Sequence, residues 1–307
     1  MISLMQIIDK SGKCYPYGKI LFTLNSGVKI YENTENNKEL IVWLPEELRP
    51  AIFEWKNMCN EPFIDVDVRD KLFWPDKILI DKSSNEYCGY TTIRPVFDGE
   101  IVPLSRRIEK KRQFDAEEKK TNIIIGNNLA RIYKVIKNSK QGYLLGVVSP
   151  DSFWIDESMN VYYMESFNCA RNVPEVIRSC YVAPELLLHD SWKGKITAET
   201  DSFVYSLLLF QILTGRFPFN SRENINRTDV EYIWNLMCDG VSVFYDKLDE
   251  FSNEIVDELK KYSKEILDLF KRTFDYCGKS DYTKGRPKIE EWLEVLSEYI
   301  KNKCEQV

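Results

Sequence analysis

GYLLGVVSPDSFWIDESMNVYYMESF (residues 142–167), followed after a loop by YVAPELL (181–187), is the most strongly patterned part of the chain. It reads as a short strand, a loop, a pair of strands, a second loop and a helix start. On either side the periodicity changes. Upstream, 103–113 and 117–138 read as helices. Ile123, Ile124, Leu129, Ile132, Tyr133, Val135 and Ile136 give the second a wide apolar face. Downstream nearly everything is helical, over 201–214, 228–237, 252–274 and 288–301. Leu207, Leu208, Leu209, Phe210, Ile212 and Leu213 make 201–214 apolar on most sides, so it is the expected buried helix.

Toward the N-terminus the period drops to two. KILFTL (19–24), VKIYE (28–32) and ELIVWL (39–44) are separated by the turn signals Asn25-Ser26-Gly27 and TENNK (34–38). This predicts a three-stranded antiparallel meander. A helix is expected after Pro45, with Glu46 and Glu47 in its first turn, carrying Ile52, Phe53, Trp55 and Met58. KILI (77–80) and CGYTTIRPV (88–96) read as two further strands. The expected class is α+β in two lobes. Residues 1–96 form a small lobe with a five-stranded antiparallel sheet and one helix; residues 97–307 form a larger, mainly helical lobe.

With 307 residues, 44% of them hydrophobic, the chain can bury a sizeable core. A net charge of −6 argues against a nucleic acid or an anionic membrane as partner. The densest basic run, Arg106, Arg107, Lys110, Lys111 and Arg112, is followed at once by Asp115, Glu117 and Glu118. It reads as a solvated helix face rather than a binding patch. The eight cysteines include no C-x-x-C pair, and the opening MISLMQIIDKSGK is too short and too polar for a signal peptide. No apolar run is long enough to span a membrane. Reduced thiols in the cytoplasm are therefore expected. His189 is the only histidine, which argues against a Ser-His-Asp triad or a Cys/His zinc site; it reads as a surface or capping residue.

Three motifs then stand in order. They are Ala183-Pro184-Glu185; Asp201 opening a helix that closes on Gly215-Arg216-Phe217-Pro218-Phe219; and Arg286-Pro287 before IEEWLEVL (289–296). Together they resemble a protein kinase: the APE motif that closes the activation segment, the central large-lobe helix, and the late arginine that pairs with the APE glutamate. The chain looks most like the bacterial kinase-like family associated with tellurite-resistance and stress operons, over about residues 15–300. Members of that family carry a Gly-Asp-x-Asn-x-x-Asn-type catalytic loop, an Asp-Ser-Phe-like metal motif and a Trp-Pro in the small lobe. The corresponding pieces here are GVVSPDS (146–152), ESF (165–167) and Trp74-Pro75.

The resemblance implies a bilobal kinase-like fold with a site for ATP and Mg²⁺, and the chain departs from it where the chemistry is done. Phosphoryl transfer needs a base for the acceptor hydroxyl, oxygen ligands for the metals, a lysine on the phosphates and a glycine loop over them. Carried over by register, the base falls on Val147, which accepts no proton. The metal-binding asparagine falls on Ser152, a weaker ligand. The metal aspartate falls on Glu165, which keeps the charge and could hold Mg²⁺. Asp151, one residue out of register, is either a substitute base or a turn residue after Pro150. The glycine loop has shrunk to Asn25-Ser26-Gly27, leaving little backbone N–H cradle. The lysine position falls on Val42 or Trp43, so Glu54 either lacks its usual partner or is an exposed helix residue. In a rival register Lys29 is the phosphate lysine and the glycine loop lies near Gly12 to Gly18, which leaves the strand 39–44 unexplained. An adenine slot would lie between Ile93-Arg94-Pro95 and the large lobe, floored by Phe153 or Ile155.

The architectural residues are kept. Glu185 with Arg286 is expected to be a buried ion pair, and Asp201 to hold the catalytic-loop backbone through N–H bonds. With the frame kept and the reactive groups lost, the expected function is a pseudokinase. It would be a regulatory or scaffolding module for a protein partner, with or without ATP as a structural ligand. The alternative is an atypical transferase, either a nucleotidyl transferase holding its metal on Glu165 and Asp151 or a weak Ser/Thr kinase using Lys29 and Glu165. Trp154, Tyr162, Tyr163 and Trp192 read as core, with an interface as the other option.

Overall fold

The computed structural model describes residues 7–50, 52–63, 65–108, 114–170, 179–187, 196–219, 230–245, 250–276 and 283–304. His189, Trp192 and the basic residues Lys110, Lys111 and Arg112 lie outside these. The class is α+β. The strands are β1 (Ile7–Asp9), β2 (Tyr17–Thr23), β3 (Lys29–Asn33), β4 (Glu39–Trp43), β5 (Lys77–Asp81), β6 (Glu86–Ile93), β7 (Val102–Pro103), β8 (Phe153–Ile155) and β9 (Val161–Tyr163). The first six form one antiparallel sheet in the order β1-β5-β6-β4-β3-β2. The meander β2-β3-β4 follows from its turn signals. The sheet has one strand more than the five expected. The extra strand, β1, lies along β5 and is only three residues long, too short for a period-two signal.

The helix expected directly after Pro45 is interrupted. One 3₁₀ turn spans Glu46–Leu48, and Arg49 is extended at φ −76° and ψ 118°. A residue before proline is pushed out of the helical region, and Pro50 follows. The helix α1 (Ile52–Cys59) starts only beyond it. The remaining helices are α2 (Val66–Arg69), α3 (Leu104–Ile108), α4 (Ala116–Lys137), α5 (Pro184–Leu187), α6 (Ala198–Thr214), α7 (Val230–Asp239), α8 (Glu250–Lys260), α9 (Lys264–Phe274) and α10 (Ile289–Cys304). α4 begins at a capping box in which Asp115 accepts from the Glu118 N–H at 2.9 Å and Glu118 accepts from the Asp115 N–H at 3.1 Å. The single helix expected over 252–274 is two, because Ser263 caps a new start, its Oγ accepting from the Ile266 N–H at 3.1 Å. No helix among the described residues is long and apolar enough to cross a membrane.

The core falls into parts set by strand alternation. On one face of the large sheet, Ile30, Val42, Ile78 and Tyr90 pack with Trp55 of α1 and with Tyr162, Met164 and Phe167. On the other, Ile41, Leu79 and Cys88 pack with Ile7 and Tyr15. The small sheet β7-β8-β9 lies between this layer and the helices. Phe153, Ile155, Val161 and Tyr163 turn into the helical core, while Trp154 and Tyr162 turn toward the large sheet. Tyr162 and Tyr163 are thus core, not interface. The helical core is built on α6, buried almost all round, with α4, α8 and α9 against it.

Candidate functional site

The tip of the β2–β3 turn is where the sheet meets the helical part. Leu24 and Val28 close the turn (Leu24 N–H to Val28 C=O, 2.9 Å), and Gly27 N–H donates to Leu24 C=O at 2.9 Å. Gly27 takes φ +82°, which a side chain would resist. The turn leaves the side chains of Asn25 and Ser26 at the tip. Facing them is the 3₁₀ turn Pro150–Ser152, capped by Ser149, whose Oγ accepts from the Asp151 N–H at 3.3 Å. Beside it β9 ends and Glu165 begins the next turn, its C=O accepting from Asn168 N–H at 2.9 Å.

Both carboxylates in this cluster are occupied on both oxygens. Ser26 Oγ donates to Glu165 Oε1 at 2.8 Å. Ser152 Oγ donates to Glu165 Oε2 at 2.6 Å, and Asn168 Nδ2 approaches the same oxygen at 3.4 Å. Asn25 Nδ2 donates to Asp151 Oδ2 at 2.9 Å, and Ser105 Oγ donates to Asp151 Oδ1. Neither carboxylate has an ion-pair partner among the described residues. Hydrogen bonds to a charged acceptor are each worth about 1.5–3 kcal/mol net, so the tip is latched to the cluster, not merely near it. A metal at Glu165 would have to share these oxygens with Ser26 and Ser152. No group of three carboxylate, thiol or imidazole ligands forms among the described residues. A base at Asp151 would act with Asn25 and Ser105 already bonded to its oxygens.

Aromatic rings pack together beside the latch. Phe22 of β2 packs edge-on to Trp154 with ring centres 5.2 Å apart, Phe22 meets Phe97 at 6.0 Å, and Phe97 meets Tyr162 at 4.9 Å. Tyr162 is fixed in turn by its hydroxyl, which donates to Asp156 at 2.8 Å. The expected floor, Phe153 or Ile155, is corrected: both face the helical core, and Trp154 is the residue that faces the sheet.

The structure therefore brings together Ser152, Glu165 and Asp151, and adds Asn25, Ser26 and Ser105. Val42 is fully buried, facing Tyr90 and Tyr162. Val147 is an apolar residue packed on the helical core. Lys29 is not brought to the site. It lies on the far face of the sheet, opposite Trp43, with Nζ 5.7 Å from the Trp43 ring centre. The rival register fails on topology too, because β1 adjoins β5 and not β2. Gly12 merely closes a turn back onto Asp9. Glu54 has no ion-pair partner among the described residues. Arg94 is tied to the β3–β4 end, its N–H donating to Lys38 C=O at 2.8 Å and its guanidinium 4.0 Å from Glu32. Ile93 beside it is 39% exposed.

Two buried contacts hold the frame below the site. Arg286 and Glu185 make a fork of two bonds at 2.8 and 3.2 Å. Asp201, in the first turn of α6, accepts from the Leu145 N–H at 2.9 Å and from the Gly146 N–H at 2.8 Å. Burial pushes its carboxyl from the ordinary 3.8 up to about 7, against the pull of these two donors. Between about pH 4 and 7 the folded chain then holds a proton that the unfolded chain releases, so this group costs stability as the pH rises through that window. The melting temperature is expected to fall from about pH 5 to 7, and to fall less in Asp201→Asn. An equal slope in the two proteins would contradict the assignment.

Comparison of the chain with protein-family models and with curated proteins finds no match.

Proposed function

We propose that the chain is a kinase-like scaffold that does not transfer phosphate, a regulatory module in the cytoplasm that works by binding a protein partner. One observation carries this reading: the two oxygens of Glu165 are taken by Ser26 and Ser152 of the same chain. These two hydroxyls compete with Mg²⁺ for the carboxylate. Three further observations support it. Phe22, Phe97 and Trp154 pack against one another beside the latch. No lysine reaches Glu165 or Asp151 among the described residues. The architectural contacts of a kinase frame, Glu185 with Arg286 and Asp201 with the loop at 145–146, are all made.

An atypical transferase is the second reading, favoured by one contact. Ser152 and Glu165, the two positions carried over as metal ligands, touch at 2.6 Å. Radiolabel separates the readings. ATP labelled at the γ- or at the α-phosphate, with Mg²⁺ or Mn²⁺, is expected to leave no label on the chain or on casein above that seen with Glu165→Ala. Label that depends on Glu165 would establish the transferase instead.

A further inference from the structure

A pocket that shares no residue with the latch lies where α10 packs on α4. Asn127, Arg131, Lys134, Val135 and Asn138 of α4 recur at spacings of three and four, so they share one face of that helix. Leu293 and Ser297, four apart on α10, line the pocket with them, as do Phe63 and Asp65 before α2. Phe63 is fixed by Trp74, edge-on with ring centres 4.8 Å apart. The volume is about 510 Å³, within the roughly 300–1,000 Å³ range of ligand sites.

The lining carries a surplus of donors. The side-chain acceptors of Asn127, Ser139 and Asp65 already have theirs. Asn127 Oδ1 accepts from Ser297 Oγ at 3.1 Å, Ser139 Oγ from Tyr143 N–H at 2.9 Å, and Asp65 Oδ1 from Val68 N–H at 3.1 Å. Asn127 Nδ2 and the Lys134 ammonium have no hydrogen-bond or ion-pair partner among the described residues. Glu290, the acid nearest in charge to Lys134, is bonded by Lys137 at 2.9 and 3.2 Å. The Arg131 guanidinium lies 3.9 Å from Asp65 Oδ2, too far for a hydrogen bond. Lys71 adds positive charge beside Arg131. Arg131 and Lys134 against Asp65 leave the lining one net positive charge. That matches a monoanion, whereas a phosphate monoester carries about −1.5 to −2. A guanidinium fork fits a carboxylate, and Phe63, Val135 and Leu293 offer contact to an apolar body.

We infer that this pocket binds a small organic monoanion, a carboxylate carried on an apolar ring or short chain, with the carboxylate on Arg131 and Lys134. The inference rests on the pocket and not on the kinase-like reading, and nucleotide binding at the latch would leave it standing. The test is ligand-observed NMR on the full chain with benzoate, phenylacetate and octanoate, each beside its neutral amide. The expected result is that at least one acid binds about tenfold or more tightly than its amide. That preference should vanish when Arg131→Gln and Lys134→Gln are combined. Arg131 is 42% exposed and Lys134 is exposed, so the melting temperature of the double variant should match the wild type. No binding of any of the acids at about 1 mM, equal binding of acid and amide, or a preference that survives the double variant would overturn the inference.

Discussion

Arg286→Ala lowers the stability of the fold by about 3–5 kcal/mol, the expected loss when one partner of a buried ion pair is removed. The arginine side chain is 1% exposed and that of Glu185 20%, so water cannot replace the missing guanidinium well. Two losses add to the pair. Nη1 also donates to Glu199 C=O at 2.8 Å, tying the arginine to the first turn of α6. The guanidinium lies 4.8 Å from the centre of the Phe203 ring, a cation–π contact in a dry setting. Glu185→Ala should cost a comparable amount, because it leaves the 1% exposed guanidinium without its counter-charge although Glu199 and Phe203 remain. Arg286→Lys should cost less than either, since the charge is kept although an ammonium cannot make the fork. Denaturant unfolding of the three single variants and the 185/286 double variant gives the order. The double variant should lose less than the sum of the singles. A loss for Arg286→Ala below about 1 kcal/mol, the value of an exposed pair, would show that the contact is not structural.

Gly89→Ala is the second large effect. Gly89 sits in β6, opposite Trp43 of β4 and Leu79 of β5. A Cβ there would collide with the carbonyl oxygen of Val42 and lie 3.1 Å from Trp43 Cα. The obstacle is backbone in the middle of the sheet, so no rotamer change relieves it. The β5–β6 register also slips here: Gly89 lies opposite Leu79 and Tyr87 opposite Ile80, with Cys88 between them unpaired. Ordinary overpacking costs about 1–3 kcal/mol; here the β4–β6 ladder must part, and the loss should reach at least the top of that range. A midpoint of unfolding within error of the wild type would contradict it.

Much of this frame was legible in the residues. The period-two runs and the turns at 25–27 and 34–38 specify the meander, and the six apolar residues in 207–213 specify the buried helix. Strand β1 was hidden by its length, although Asp9 followed by Ser11, Gly12 and Lys13 carries a turn signal. Asp9 Oδ1 accepts from the N–H groups of Ser11 and Lys13 at 2.8 and 3.2 Å. The break at Pro50 was readable from the rule on residues before proline, and the split at Ser263 from its capping type. The parity of β8 was not readable. A three-residue strand, apolar throughout, gives no alternation to say whether Phe153 or Trp154 faces the sheet.

The latch was the larger omission. Reading the turn at 25–27 for its glycine hides what its other residues do: Asn25 and Ser26 are donors, and Asp151 and Glu165 are acceptors far away in sequence. Each looks ordinary by itself. Only the fold brings donors from one part of the chain onto acceptors of the other.

A thermal-shift titration with ATP, with and without Mg²⁺ or Mn²⁺, tests the latch most directly. A ligand at 100 times its dissociation constant adds about 2.7 kcal/mol, several degrees of melting temperature in a chain of this size. The latched carboxylates predict no shift with either metal. A metal-dependent rise that Glu165→Ala abolishes would mean that the Ser26 latch opens and that Glu165 holds a metal–nucleotide complex after all.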